Sequence, residues 1–365
     1  MTKKAWRIAI KLFHLMNKEG DTLIILTPGF PESEADTTCL PMQQGFVRHL
    51  KESYPKLNII ILSFQYPYYE ATYKWFGITV TSFNGKNSGG LKKILLRQKL
   101  FSTLKKINRD HKIAGLLSFW YGECALVGKR FADKYGLKHY CWILGQDAKK
   151  ENKYHKLICA KPGELIALSE FLQDEFERNH AVRPEYLILP GMDAKHFSRQ
   201  AKERNVDILG VGSFIELKRY DIFLEIIAEL KKTIPQIKAV LVGEGPEKEN
   251  LSSLILKYNL QSNCTLTGEL AHEKVLELMQ RSKILLHPSS YEGFSGVCME
   301  GLYSGAHVIS FCRAMKQEID CWDIVQSREE MKQKALTVLQ NNFTNHSPGK
   351  RFLIHDTVNA VMSLY

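Results

Sequence analysis

The sequence predicts an α/β protein made of two doubly wound domains in tandem, and three observations carry that expectation. Short apolar, β-branched runs alternate with amphipathic helical patterns along the whole chain, the signature of βαβ units and parallel sheets. The 365 residues exceed one ordinary hydrophobic core, so two domains are the default. Between two alternating series lies Pro190–Asn205, short in apolar residues and rich in charge, where the boundary is placed.

In the first half the expected strands are Thr22–Leu26, Leu57–Phe64, Ile113–Phe119, His139–Leu144 and Leu165–Leu168. In the second half they are Val206–Val211, Ile237–Val242, Cys264–Thr267, Ile284–His287 and His307–Phe311. Tyr220–Lys231 is the clearest helix, with Ile222, Ile226 and Leu230 on one stripe and Phe223 and Ile227 beside it. The domains expected are 1–190 and 191–345, with 346–365 as a C-terminal helix packing back on the first. Two such domains in tandem present their strand C-termini, and so their ligand sites, to a common cleft.

Composition narrows the class. Apolar residues make up 44% and charged residues 24%, ordinary values for a soluble globular protein. The eight cysteines are scattered without a C-x-x-C pair, which fits a reduced, cytosolic chain with no zinc site. No run of 18 apolar residues exists to span a membrane, and the interrupted N-terminus argues against a signal peptide. The net charge of +11 lies wholly in the first half: residues 1–190 hold 29 Lys and Arg against 18 acids, and residues 191–365 hold 21 of each. Two segments dominate, 1–18 with five basic residues and no acid, and 86–112 with nine against Asp110 alone. The first half therefore expects an anionic partner.

The motifs with chemical content sit at strand ends. Asp207–Val211 runs into Gly212-Ser213, followed by Lys218 and Arg219 at a helix start, where basic side chains can neutralise a diphosphate or simply be solvated. Leu241-Val242-Gly243-Glu244-Gly245-Pro246 is a strand ending in a turn, with Pro246 expected at the first helical position. After Ile284-Leu285-Leu286 comes Ser289-Ser290-Tyr291-Glu292-Gly293-Phe294-Ser295-Gly296-Val297-Cys298-Met299-Glu300. Here two carboxylates flank a glycine loop at a strand-to-helix junction. Small residues let the backbone come close, first-turn N–H groups hold phosphate, and the carboxylates accept bonds from sugar hydroxyls. That is the pattern of a sugar-nucleotide site. The alternative is structural: Glu292 caps the helix and Glu300 pairs with a basic neighbour.

Together these features resemble glycosyltransferase family 4, retaining sugar-nucleotide transferases of the GT-B fold, whose two Rossmann-like domains face a central cleft. The resemblance rests on Gly212 to Lys218, Val242–Pro246, Thr267-Gly268, His287–Gly296 and Glu300, which together form an E-x7-E element in context. Upstream, Leu189–Asp193 with Phe197 resembles the family's interdomain signature, Leu168-Ser169 its strand-plus-Ser element, and Gly145-Gln146-Asp147 its "H-G-x-D" turn. The resemblance implies that Glu292 contacts donor-sugar hydroxyls and Glu300 the ribose. Lys218 holds the diphosphate with the backbone of Gly293, Phe294, Ser295 and Gly296. Ser213, Glu244 and Gly29 complete the expected donor set, Glu292 and Lys218 being the catalytic pair. It further implies metal-independent hexosyl transfer with retention, with Lys218 and helix amides stabilising the leaving group.

The chain departs from that pattern in places. Ser213 stands where the family often has Arg, the interdomain Asn is absent, and His307 replaces a usual Pro. The segment Leu117–Cys124 lacks the family's acceptor-side histidine, which leaves Glu123 or Asp147 to supply a polar group and Trp120 as core or cleft wall. By the same resemblance the first half is the acceptor domain, with Thr27–Pro31 at the cleft. Leu91–Ile107 fits two readings equally: an interfacial helix on anionic lipid, or a helix packed on the sheet with a solvated basic face. Residues 3–16 make the same double offer.

The functional expectation is transfer from a nucleotide-sugar to a glycan or lipid-linked acceptor in cell-surface polysaccharide or glycolipid assembly. No metal or cofactor is expected beyond the donor, and the place expected is the cytoplasm, peripheral on the inner membrane face. A non-catalytic sugar-nucleotide-binding relative or partner subunit is the competing reading. Nucleic-acid binding is disfavoured, because the basic segments lack interleaved aromatics and no recognised module appears.

Overall fold

The computed structural model describes residues 20–193, 195, 197, 203–312, 314–341 and 352–365. The basic segment 1–18, the amphipathic stretch 3–16 within it and part of the boundary stretch thus lie outside the described residues. The described residues up to Gly191, with Ile354–Tyr365, form one compact unit; Met192–Leu353 form a second.

In the first unit β1 (Asp21–Gly29), β2 (Asn58–Tyr66), β3 (Glu70–Trp75), β4 (Ile78–Phe83), β5 (Lys112–Phe119), β6 (His139–Ile143), β7 (Leu165–Ala167) and β8 (Tyr186–Leu187) alternate with helices. The helices are α1 (Pro41–Ser53), α2 (Gly90–Asp110), α3 (Glu123–Tyr135), α4 (His155–Ile158) and α5 (Glu170–His180). The strand order is β3-β4-β2-β1-β5-β6-β7-β8, parallel throughout except for β3 against β4. Leu23–Leu26 of the central β1 are wholly buried, as expected of a strand covered on both faces.

The β3–β4 hairpin is absent from the sequence reading. Its two-residue turn, Phe76-Gly77, has positive φ at both positions, a geometry usually announced by Asn-Gly rather than Phe-Gly. A second correction concerns Thr27–Pro31, expected to follow a first strand that ends at Leu26. β1 runs on to Gly29 instead, with a register shift against β2 between Thr27 and Gly29.

The basic helix packs on the sheet along only part of its length. α2 buries Leu96, Leu100, Leu104 and Ile107 in the core beneath the sheet. Its first two turns instead expose Leu91 (78%), Leu95 (62%) and Ile94 (49%). The apolar residues at its N-terminal end thus face solvent among Lys92 and Lys93.

The second unit carries β9 (Val206–Val211), β10 (Ala239–Val242), β11 (Cys264–Gly268), β12 (Ser282–His287), β13 (His307–Ser310) and β14 (Trp322–Ile324). Its helices are α6 (Tyr220–Lys231), α7 (Lys248–Lys257), α8 (His272–Gln280), α9 (Gly296–Tyr303) and α10 (Arg328–Gln340). The sheet order β11-β10-β9-β12-β13-β14 is the doubly wound 3-2-1-4-5-6 arrangement. The predicted stripe of α6, Ile222, Phe223, Ile226, Ile227 and Leu230, is buried in the core. Each such side chain contributes about 2 kcal/mol by leaving water. α7 begins at Lys248, so Pro246 precedes the helix rather than opening it.

Helix α11 (Ile354–Met362) returns to the first unit and packs on α1. Thr357 donates to the Leu189 carbonyl at 2.7 Å, and the Tyr365 hydroxyl donates to that of Leu116 at 2.8 Å. Among the described residues no helix is long and apolar enough to cross a membrane.

Candidate functional site

In the second unit the strand order reverses between β9 and β12, and the loops leaving these neighbours meet. Such a switch point is where doubly wound sheets bind ligands. The β9 loop passes Gly212 and Ser213, buries Phe214, makes a 3₁₀ turn at Glu216–Lys218 and reaches Arg219 in the left-handed region. The β12 loop is stitched to it: the Leu217 carbonyl accepts from the Ser290 amide at 3.0 Å and the Ser290 hydroxyl at 3.1 Å. This brings Lys218 onto Glu292.

Lys218 forms an ion pair with Glu292 Oε1, and the same oxygen accepts from His287 Nε2 at 2.8 Å. Burial works against the Glu292 charge, but His287 and the Lys218 ammonium outweigh it and hold the carboxyl down at about 2. Burial pushes His287 below its ordinary value, so it serves as a neutral Nε2–H donor. Its Nδ1 has no partner among the described residues. The N-cap of the following helix, Ser295, makes no side-chain cap bond, and Glu292 Oε1 is engaged by Lys218 and His287 instead.

Gly293, Phe294 and Ser295 are buried, and Ser295 enters α9 with φ of 61°. The first turn of α9 contains no acid, leaving its positive dipole end unopposed by carboxylate. Glu300, a turn and a half from Ser295, meets His272 Nε2 at 2.7 Å. Burial disfavours charge on His272, yet Glu300 overrides it and raises the histidine above its ordinary value. Glu300 thus has a basic neighbour, as the structural alternative expected, at the first residue of α8.

Of the other expected donor residues, Ser213 is exposed on the β9 loop. Glu244 is exposed and paired with Lys248 at 2.6 Å, beyond the end of β10. Gly29 is the last residue of β1, in the first unit. Three residues without a sequence-assigned role stand in that cluster: His287, His272 and Tyr220. Their signals were present, His287 ending an apolar strand, His272 opening a helix after Thr267-Gly268, and Tyr220 two residues beyond Lys218.

The first unit has its own depression of about 570 Å³, lined by Pro28, Lys93, Trp120, Glu123, Asn152 and Tyr154 among others. It lies where β1 and β5 end, the corresponding switch point. Trp120 is half-buried there with φ of 74°, a strained conformation for a bulky side chain. Neither acid offered as a substitute for histidine stands unengaged. Glu123 is held by Arg97, Lys93 and the Tyr154 hydroxyl. Asp147 Oδ2 accepts from the Tyr121 and Leu144 amides at 2.8 and 2.9 Å, a loop-fixing role. Ser169, the strand-plus-Ser element, accepts from the Leu172 amide at 3.1 Å as the cap of α5.

Asp147 yields a pH prediction. Burial raises its carboxyl from 3.8 to about 7, against the two amides that favour the charged form. A raised carboxyl binds its proton more tightly folded than unfolded, so its stabilisation is full below 3.8 and lost as pH rises through about 7. Asp147→Asn keeps a neutral acceptor for both amides. Thermal melts are expected to show a gain of about 4 °C or more over the parent at pH 7.5, vanishing near pH 4. An equal difference at both pH values would contradict this.

Comparisons with known proteins agree with this geometry. Residues 192–319 match the family description "Glycosyl transferases group 1". The phosphatidylinositol N-acetylglucosaminyltransferase gpi3 subunit of Schizosaccharomyces pombe is 26% identical over 164 residues, 44% of this chain and 36% of that one. An uncharacterized glycosyltransferase of Methanocaldococcus jannaschii is 24% identical over 190 residues, 50% of this chain and 52% of its own. The chain spans about a quarter to a half of the length of the curated relatives it matches. Among solved structures, Anabaena HepE in complex with UDP and glucose superposes with a TM-score of 0.67 at 16% identity, covering 94% of this chain and 95% of that one. WaaG, a glycosyltransferase involved in lipopolysaccharide biosynthesis, gives 0.61 at 15% identity over 93% and 94%. The chain has the GT-B fold of these structures, and its residues 192–319 match the glycosyl transferases group 1 description.

Proposed function

We propose that the chain is a retaining, metal-independent glycosyltransferase of family 4 type. It moves a hexosyl-type sugar from a nucleotide-sugar to a glycan or lipid-linked acceptor in cell-surface polysaccharide or glycolipid assembly. One observation carries the reading: Lys218, His287 and Glu292 converge at the second unit's switch point, with the E-x7-E partner Glu300 on the helix that follows.

The assignment of roles follows the charges. A diphosphate takes the Lys218 ammonium from Glu292, and the first turn of α9 adds its dipole to the same anion. Glu292, released from Lys218 but still fixed by His287, is then an ionised acceptor for donor-sugar hydroxyls. Glu300 accepts from the ribose hydroxyls. Leaving-group charge is met by Lys218 and backbone amides, so no divalent ion is required of the site. The depression of the first unit takes the acceptor, and the exposed Leu91, Ile94 and Leu95 among lysines suit an anionic membrane surface carrying it.

The test is a thermal-shift panel of UDP-, GDP- and ADP-sugars with and without EDTA, followed by hydrolysis assays on the hits that identify the anomer released. The expected result is stabilisation by one nucleotide class, turnover unaffected by EDTA, and the donor's anomeric configuration retained. Binding without turnover for any donor and acceptor would favour the non-catalytic relative, and an inverted product would overturn retention.

A further inference from the structure

Tyr220 opens α6, two residues after Lys218, and is only 3% exposed. Its ring packs edge-on against Phe214 at 5.6 Å and Phe223 at 6.3 Å between centroids. Its hydroxyl, however, is buried with no hydrogen-bond partner among the described residues. An orphaned buried hydroxyl forfeits its hydrogen bonds to water without replacement, so its presence in a packed core asks for a reason.

Its surroundings supply one. A methyl group on Gly212 would lie 2.8 Å from the Tyr220 oxygen and 3.8 Å from Lys218 Cε. Any side chain at 212 would therefore cover the hydroxyl, and the φ of 149° there favours glycine as well. The backbone of Gly212, at the end of β9, thus stands directly against this buried oxygen, with the Lys218 side chain that pairs with Glu292 close by.

The geometry points to the Tyr220 hydroxyl as a hydrogen-bond donor to a phosphate oxygen of a nucleoside diphosphate, acting with Lys218 beside Gly212. This rests on the donor reading proposed above and adds a residue to it. The second donor also offsets the short, neutral side chain of Ser213 on the same loop. Burial, with the Glu292 charge behind it, pushes ionisation of the phenol far upward, so the proton stays available for donation. The Lys218–Glu292 pair occupies the neighbouring space, and a phosphate that draws Lys218 from Glu292 would complete what the hydroxyl lacks.

Tyr220→Phe removes one oxygen and keeps the ring packing. Calorimetric titration of parent and variant with UDP, GDP and ADP, and with uridine, guanosine and adenosine, tests the assignment. The tightest-binding diphosphate is expected to bind the variant about 10-fold more weakly, the value of one hydrogen bond to a charged group, with the matching nucleoside unchanged. The variant's ligand-free melting temperature is expected to equal or exceed the parent's, since an unsatisfied hydroxyl is gone. Equal weakening of nucleoside and diphosphate, or no weakening, would overturn the assignment. So would a clear fall in ligand-free stability, which would mark a structural hydroxyl. A parent that binds none of the three diphosphates would instead sink the donor reading, and the Tyr220 role with it.

Discussion

Glu292→Gln is expected to lower sugar transfer about 100- to 1,000-fold while leaving the protein folded. The carboxylate holds two hydrogen-bonding partners, Lys218 and His287, on one oxygen. The amide can still accept from His287 through its carbonyl oxygen, but it loses the charge that aligns polarised sugar hydroxyls in the transition state. Removing one such preorganised group typically costs this much in rate. Lys218→Ala should match it in activity by withdrawing leaving-group stabilisation, yet differ in stability. It strands a largely buried anion, and breaking a buried pair from one side costs about 3–5 kcal/mol. The double variant Lys218→Met/Glu292→Gln removes both charges together and should recover much of that loss in melts, without recovering transfer. Initial-rate assays beside thermal melts separate the two effects. Transfer by Glu292→Gln within about threefold of the parent would remove Glu292 from the mechanism.

Most of the second unit was legible because its information is local. Strand periodicity, glycine turns and the E-x7-E spacing all lie within short windows, and Val206–Val211 was bounded correctly from them. What was not legible depended on tertiary pairing. Nothing in the spacing says that Lys218 and Glu292, 74 positions apart, share an ion pair. That contact follows from β9 and β12 being sheet neighbours, a fact of strand order rather than of motif. His272 and Glu300 meet for a similar reason, since α8 and α9 lie side by side. In the first unit the same limit applies to Asp147, which lines the depression while its Oδ2 accepts from two backbone amides whose positions no spacing announces. The β3–β4 hairpin escaped because its outward side chains Glu70, Thr72 and Lys74 dilute the apolar signal of an edge strand.

Gly243→Ala is expected to destabilise the second unit by about 3–5 kcal/mol, a fall of roughly 10 °C in melting temperature. The loops that follow β9 and β10 run back to back, so that Gly212 donates to Val242 O at 3.0 Å and Phe214 to Glu244 O at 2.8 Å. Gly243 has φ of 150°, and a methyl there would drive into the Gly212 carbonyl and lie 2.9 Å from the Phe214 ring. Neither neighbour can yield, because Phe214 is wholly buried and its own carbonyl accepts from the Glu247 amide at 2.9 Å. Gly245 is locked in the same way, its methyl position 2.5 Å from the Phe214 oxygen. Gly296→Ala provides the contrast. Nothing lies within 4 Å of its Cβ position, and α9 begins there, so the fold should tolerate alanine to within about 0.5 kcal/mol. If α9 receives the diphosphate, that methyl stands between the helix amides and the anion and should weaken nucleoside diphosphate binding without moving the ligand-free melt. Gly243 and Gly245, which let two loops touch, then divide by physics from Gly296, whose Cβ position is open. Equal stability of Gly243→Ala and Gly296→Ala would refute that division.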